Sequence, residues 1–353
     1  MTLLFASGTP HLPQVFGGLE INTHEMALEL NQRGHRTAIL SKLSLCDGFG
    51  VIRLVANHIR RAEISTDMGL GYQVYRSRRP WSQLSGLPMP RLVVVQNGNM
   101  VEIGKAFARR GVPVIAYFHG LEFELGRNRW MGEGKDLPFR AYIANSRFTA
   151  ARFKERFGID AHVIPPVFRP ERYRAAGQRR CVTFINPVAE KGLELALALA
   201  ASCPEIPFRF IKGWPLGPKD LLNLRRRLSR LPNVELAERS SDMLPVYGST
   251  SILLAPSQWQ AETWGRVASE AQFSGIPVLA SNRGGLPEAV GPGGTILDAE
   301  AAPEVWAAEL RRLWHDKDYH AAKSEAALAH SRRPEIDIDR QIESFLTIVD
   351  TVA

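Results

Sequence analysis

The sequence predicts an α/β protein: two Rossmann-like, doubly wound domains, each on a mainly parallel sheet, facing one another across a cleft. Three observations point there. The chain has 353 residues, the length of two ordinary domains. Short unbroken apolar runs alternate with stretches of helical period, the pattern of buried parallel strands joined by crossover helices. Several of those runs end in polar or glycine-bearing residues, where open α/β sheets bind ligands. With 45% hydrophobic and 23% charged residues the chain can fill two cores and is not disordered.

The first domain is placed at residues 1–170. Residues 3–6 read as a strand and residues 7–18 as a polar loop. A helix follows to Arg33, with Leu19, Thr23, Met26, Ala27 and Leu30 on one side. Gly34 stops it, and residues 36–40 are the next strand. This βαβ opening has no G-x-G-x-x-G, so a dinucleotide fingerprint is not supported. Gly17-Gly18 still permits close approach to a phosphate, or simply makes the turn. Residues 51–61 read as a helix that is basic on one side, and residues 72–76 as a strand. Arg76, Arg78, Arg79 and Trp81 then form a loop suited to a membrane surface, to an acidic acceptor, or to solvent alone. Strands at residues 92–95 and 113–118 end in Gln96-Asn97-Gly98-Asn99 and in His119-Gly120. His119 is either a strand-end cap or a substrate ligand. His11, His24, His35, His58 and His162 lack that setting and read as structural. The long loop at residues 121–137 follows a strand end, the place for an acceptor lid. Residues 142–144 are a strand, and Asn145-Ser146 opens a helix to residue 157.

Residues 171–180 read as the linker and residues 181–335 as the second domain. Its first strand, residues 181–185, runs into Asn186 and then Lys191-Gly192 at a helix start, where the lysine can act as a point charge on phosphate. A strand at residues 208–212 ends at Gly213-Trp214. The helix at residues 221–231 turns Arg225, Arg226, Arg227 and Arg230 to water. The stretch that organises this half is PSQWQAETWGRVASEAQFSGIPVLASNRGGLPEAV, residues 256–290. It reads as a strand end (residues 251–255), a polar loop, a helix opening near Trp264, a strand at residues 276–280 and a Gly-Gly turn. Glu262 lies in the loop and Glu270 two turns into the helix, seven residues between them. Gly265 stands at the helix start, where free N–H groups favour phosphate. That order suits a sugar-diphosphate-nucleoside, with hydroxyls at both ends and phosphates in the middle. It also suits an ordinary strand-loop-helix with capping acids. A strand at residues 295–297, helices at residues 302–314 and 318–331, and a terminal helix within residues 336–353 complete the chain.

Charge is uneven. Residues 1–176 hold 24 Lys and Arg against 14 Asp and Glu, a balance of +10, and residues 177–353 hold 20 against 22, a balance of −2. A basic first half attracts anionic lipid, an anionic acceptor or nucleic acid, or merely keeps the surface solvated. No nucleic-acid recognition motif accompanies it. Cys46, Cys181 and Cys203 are odd in number and scattered, as expected of reduced thiols in the cytoplasm. The opening MTLLFASGTP lacks the basic start and long apolar core of a signal peptide, and no apolar run reaches a membrane span.

The organising stretch resembles the Glu-x7-Glu region of retaining glycosyltransferase family 4, which has the GT-B fold. The matching residues are Pro256-Ser257, Glu262, Trp264-Gly265, Glu270-Ala271, Gly275-Ile276-Pro277-Val278, Gly284-Gly285 and Pro287-Glu288. Trp264 replaces the family's usual Phe. Lys191-Gly192 matches the family's Lys-Gly, but the preceding Arg is missing, with Asn186-Pro187 in its place. Pro165-Pro166-Val167 stands where Pro-Asn-Gly is usual. The resemblance implies a transferase using a UDP- or GDP-sugar and a hydroxyl acceptor that is a glycan, a lipid-linked sugar or a small molecule. It implies Glu262 on the donor sugar, with His119 beside it, and Glu270 on the ribose. It further implies Lys191, the Gly265 region and Gly17-Gly18 on the diphosphate, Asn186, Gly213 and Trp264 in the donor pocket, and Arg266 as one replacement for the missing Arg. The implied catalytic set is Glu262, His119 and Lys191. No metal and no cofactor are expected. The Asp337-Ile338-Asp339 triplet resembles the metal signature of the other nucleotide-sugar transferase fold, but it lies at a helix start, where acids suit the dipole. The expected location is the cytoplasm, with peripheral contact at the inner membrane face as an option. The rival readings are a nucleotide-sugar hydrolase or epimerase, a non-catalytic sugar-nucleotide binder, and a nucleic-acid binder suggested by charge alone.

Overall fold

A computed structural model describes residues 2–125 and 130–353. Residues 126–129, in the middle of the expected lid loop, lie outside the described residues. The chain divides into two units, Met1–Val167 with Asp337–Ala353, and Phe168–Ile336.

Unit 1 carries β1 (Thr2–Ser7), α1 (Gly18–Gln32), β2 (Arg36–Lys42), α2 (Gly48–Ile59), β3 (Ile64–Asp67), β4 (Gln73–Ser77), β5 (Leu92–Gln96), α3 (Met100–Ala108), β6 (Val114–Phe118), β7 (Ala141–Ala144), α4 (Arg147–Phe157) and β8 (His162–Val163). The sheet order is β3-β4-β2-β1-β5-β6-β7-β8. Every pairing is parallel except β3 with β4. The sequence does not announce β3, because Ile-Ser-Thr-Asp is a short edge strand with no apolar run. The inner strands are buried on both faces, so Leu-Val-Val-Val-Gln and Val-Ile-Ala-Tyr-Phe read as continuous apolar segments.

Unit 2 carries β9 (Cys181–Ile185), α5 (Leu193–Ser202), β10 (Phe208–Ile211), α6 (Pro218–Leu228), β11 (Val234–Ala237), α7 (Leu244–Ser249), β12 (Thr250–Ala255), α8 (Arg266–Gln272), β13 (Val278–Ser281), α9 (Leu286–Val290), β14 (Gly294–Leu297), α10 (Pro303–His315) and α11 (Lys317–His330). Its all-parallel sheet has the order β11-β10-β9-β12-β13-β14. Side chains alternate across it. Ile252 and Leu254 pack with Ala200, Trp306 and Leu310 on one face, while Leu253 and Ala255 pack with Trp264, Ala268 and Ala271 on the other.

The last helix, α12 (Ile338–Val352), belongs to unit 1. Its Ile342, Phe345 and Val349 are fully buried with Leu3, Phe5 and Met26, and Phe345 stacks on Phe5 at 5.8 Å between centroids. Gln341 Nε2 donates to the carbonyl of Pro165 at 2.7 Å. The Asp-Ile-Asp triplet is structural: Asp337 accepts from the Arg340 amide as helix cap, and Asp339 pairs with Arg33.

Both sheets wind in two directions from a central strand. In unit 1 the winding turns between β1 and β5, and in unit 2 between β9 and β12. The carboxyl ends of strands flanking such a turn open the crevice in which doubly wound sheets take their ligands.

Candidate functional site

In unit 2 the residues that follow β9 and β12 meet at that crevice. Beyond β9 the chain makes a single 3-10 turn over Ala189–Lys191, and Gly192 then takes a left-handed conformation (φ 86°) before α5. A Cβ on Gly192 would lie 2.0 Å from the carbonyl oxygen of Pro256, so only glycine lets this turn close on the end of β12. The loop after β12 is tied to the same turn. The Gln258 amide donates to the Glu190 carbonyl at 2.9 Å, and the Ser257 hydroxyl donates to that oxygen at 3.2 Å.

This anchoring brings Lys191 and Glu262 together. Lys191 Nζ lies 2.5 Å from Glu262 Oε2, with the side chains 20% and 7% exposed. The ammonium also lies 4.8 Å from the ring centroid of Trp259 and 5.3 Å from that of Trp214, the two indoles standing edge to face. Neither tryptophan is singled out by the sequence as a partner of Lys191. Trp214 follows β10 and Trp259 follows β12, and only the order β10-β9-β12 places both beside a residue after β9. Asn186 has φ 68° and its Oδ1 accepts the Trp214 backbone N–H at 2.8 Å, directly against Gly213. Its role in the structure is to fix the Gly213-Trp214 turn.

Glu262 is held from below. Gly285 donates its N–H to the Glu262 carbonyl at 2.7 Å. A Cβ on Gly285 would sit 2.0 Å from the carbonyl oxygen of Thr263, which explains the tight fit of the Gly284-Gly285 turn under the loop. Gly265 has φ 83° and starts α8, which begins at Arg266 rather than at Trp264. The Trp264 side chain is 2% exposed and gives its indole N–H to the Ser269 hydroxyl at 3.1 Å. Its side chain is a core group under the loop, not a surface of the donor pocket.

Glu270 faces a different set of partners. Its Oε2 accepts from the Tyr247 hydroxyl at 2.9 Å, and its Oε1 lies 3.3 Å from Arg266 Nε. Burial first, and then the charge of Glu270, push the Tyr247 hydroxyl well above its ordinary range, so it stays protonated as a donor. Burial likewise pushes Tyr173 up to about 12. The Arg266 guanidinium lies 4.3 Å from the Phe168 ring centroid and 3.4 Å from the Tyr173 hydroxyl. Arg266 is thus packed among Phe168, Tyr173 and Glu270 of unit 2.

In unit 1 His119 follows β6. Its Nε2 lies 3.0 Å from Gln96 Nε2, and Gln96 Oε1 accepts from the Thr23 hydroxyl at 2.8 Å. Gln96 therefore ties the His119 ring to Thr23 of α1. Gln96 ends β5, at the turn in winding. Gly17 donates its N–H to Glu20 Oε2 at 3.0 Å, so a carboxylate already takes the position that an anion would occupy at that amide. Gly18 is the first residue of α1. Of the residues the sequence singles out, the structure pairs Lys191 with Glu262, Asn186 with Gly213, and Arg266 with Glu270. His119, Gly17 and Gly18 belong to the other unit.

Comparison with known proteins agrees with this architecture. Residues 16–172 match the family model "Glycosyltransferase Family 4", and residues 172–330 match "Glycosyl transferases group 1". A D-inositol 3-phosphate glycosyltransferase of Segniliparus rotundus is 29% identical over 233 residues, 58% of this chain and 51% of the relative. One from Corynebacterium urealyticum is 34% identical over 151 residues, 40% of this chain and 35% of the relative. The chain thus spans about half or less of the length of these curated relatives. In fold it is similar to Anabaena HepE in complex with UDP-glucose, with a TM-score of 0.76, 17% identity, and 99% of this chain and 100% of that one covered. It is also similar to sucrose-phosphate synthase of Thermosynechococcus elongatus, with a TM-score of 0.75, 13% identity, and 99% and 98% covered. The two family matches follow one another from residue 16 to residue 330, and the chain belongs to glycosyltransferase family 4, with the GT-B fold.

Proposed function

We propose that this protein transfers a sugar from a nucleoside-diphosphate sugar to a hydroxyl acceptor, with retention at the anomeric carbon and without a metal ion. The observation that carries the reading is the Lys191–Glu262 pair at the ends of β9 and β12. Lys191 supplies the positive charge for the diphosphate, and Glu262 accepts hydroxyls of the donor sugar. As the bond to the leaving phosphate breaks, negative charge grows on the diphosphate oxygens, and a preoriented ammonium stabilises it. A phosphate oxygen then takes the acceptor proton on the same face. Glu270 takes a ribose hydroxyl through the lone pairs that Tyr247 and Arg266 leave on its carboxylate. His119, just past the end of β6, is assigned a substrate contact as well.

The Anabaena HepE structure with UDP-glucose supports the choice of a nucleotide sugar, and the inositol phosphate glycosyltransferases support a hydroxyl acceptor. The test is a panel of UDP- and GDP-sugars with candidate acceptors, read by NMR of the product. An α-linked product from an α-linked donor, formed equally with and without a chelator, is the expected result. Donor turnover without any acceptor product would instead favour a hydrolase, and donor binding without turnover a sugar-nucleotide sensor.

A further inference from the structure

Helix α2 is inside out. In a helix on a soluble domain the apolar stripe turns inward and the polar face meets water. The buried residues of α2 are instead Gly50 and Asn57. Its aliphatic residues Val51, Ile52, Val55 and Ile59 are 47%, 70%, 53% and 75% exposed. At 3.6 residues per turn those four fall within roughly 100° of the helix circumference, opposite Gly50 and Asn57. The orientation is fixed. Asp47 caps the helix by accepting the Gly50 amide at 2.8 Å, and a Cβ on Gly50 would lie 1.7 Å from the Ser44 carbonyl oxygen. Only this side of the helix can approach the loop so closely. Met68, in the neighbouring β3–β4 connection, is 61% exposed as well.

The end of the stripe is basic. His58, Arg60 and Arg61 are exposed, against one exposed acid at Glu63. Arg53 is not part of this group, because it folds back on Asp67 at 3.3 Å and on the Phe49 ring at 4.3 Å. The first 176 residues carry the whole positive excess of the chain.

We propose that α2 lays its Val51, Ile52, Val55 and Ile59 face into the surface of an anionic phospholipid bilayer, with Arg60 and Arg61 at the headgroups. A convex aliphatic stripe with a cationic end is the pattern of a helix that lies in the membrane interface. It offers no aromatic anchor of the kind that dominates a protein–protein hot spot. Among the described residues no helix is long and apolar enough to cross a membrane, so the contact is peripheral. This proposal is independent of the donor site.

The test is co-sedimentation of the full chain with vesicles of phosphatidylcholine alone and of phosphatidylcholine with phosphatidylglycerol, at low and high salt. The chain is expected to pellet with the anionic vesicles and to be released by salt. The Ile52→Glu/Ile59→Glu double variant replaces two largely exposed side chains, so its melting temperature is expected to match wild type while its vesicle affinity falls at least tenfold. Arg60→Gln and Arg61→Gln are expected to weaken binding roughly fivefold each. A polarity-sensitive dye on Cys46, which is exposed while Cys181 and Cys203 are buried, should shift to the blue only with anionic vesicles. Three results would overturn the proposal. They are no sedimentation with anionic vesicles, equal binding by the double variant, and a concentration-dependent dimer that the double variant dissociates, which would mean that a second copy covers this face.

Discussion

Replacing Lys191 by methionine removes one charge and keeps a stem of similar length against Trp214 and Trp259. Two effects follow. Glu262, 7% exposed, loses the ammonium 2.5 Å from its Oε2. Breaking a fully buried pair costs about 3–5 kcal/mol. Lys191 keeps a fifth of its side chain in water, so screening brings the cost down to about 1–3 kcal/mol. The donor diphosphate also loses a charge-assisted contact, about 1.5–3 kcal/mol. At 1.4 kcal/mol per factor of ten, its dissociation constant should rise about tenfold to somewhat above a hundredfold. Calorimetric titration with the best nucleotide sugar measures the second effect, and equilibrium unfolding in urea the first. Glu262→Gln separates them further: it also breaks the ion pair, but leaves the cation for the phosphates, so it should lose sugar discrimination more than diphosphate affinity. A folded Lys191→Met protein that binds nucleotide sugar as tightly as wild type would refute the assignment.

Three further outcomes are expected. Gly285→Ala puts a methyl 2.0 Å from the Thr263 carbonyl oxygen, so the backbone under Glu262 must shift; this should cost about 1–3 kcal/mol and lower kcat, and unchanged melting and turnover would contradict it. Tyr247→Phe deletes the hydroxyl that Glu270 accepts at 2.9 Å, for about 1.5–3 kcal/mol of stability and weaker donor binding; a loss under about 0.5 kcal/mol would show that this contact does not hold Glu270. His11 lies with its Nε2 3.0 Å from the Tyr72 hydroxyl, and burial, with help from Arg76 and His24, holds its pKa down at about 3 against an ordinary 6.5. Above 6.5 the ring is neutral in both folded and unfolded chains. As pH falls from 6.5 towards 3 the unfolded chain takes a proton that the folded chain refuses, so stability is lost across that window. Urea unfolding across pH should show a shallower loss for His11→Gln than for wild type, and identical profiles would contradict the burial argument.

Much of the fold is legible in the sequence because parallel strands buried on both faces leave unbroken apolar runs such as Leu-Val-Val-Val at β5 and Ile-Leu-Leu-Ala in β12. The edge strand β3 leaves no such run. Lys191 and Glu262 stand out because a cation before Gly192 and an acid in a loop after a strand are local features. Their aromatic neighbours do not, since Trp214 and Trp259 meet Lys191 only through the strand order β10-β9-β12. Spacing suggests two carboxylates gripping one ligand from its two ends, but it does not show their protein partners, Lys191 for Glu262 and Tyr247 with Arg266 for Glu270. The same limit applies to α2. Its sequence shows a helix that is basic on one side, but which side turns inward is decided by the approach of Gly50 to Ser44, a contact that no periodicity encodes.

The most direct measurement is a crystal structure of the protein with an intact nucleotide sugar. The expected density places the diphosphate within hydrogen-bonding distance of Lys191 Nζ and a sugar hydroxyl on Glu262, at the carboxyl ends of β9 and β12. A donor bound with its phosphates away from Lys191, and with the Lys191–Glu262 ion pair unchanged, would contradict the central claim.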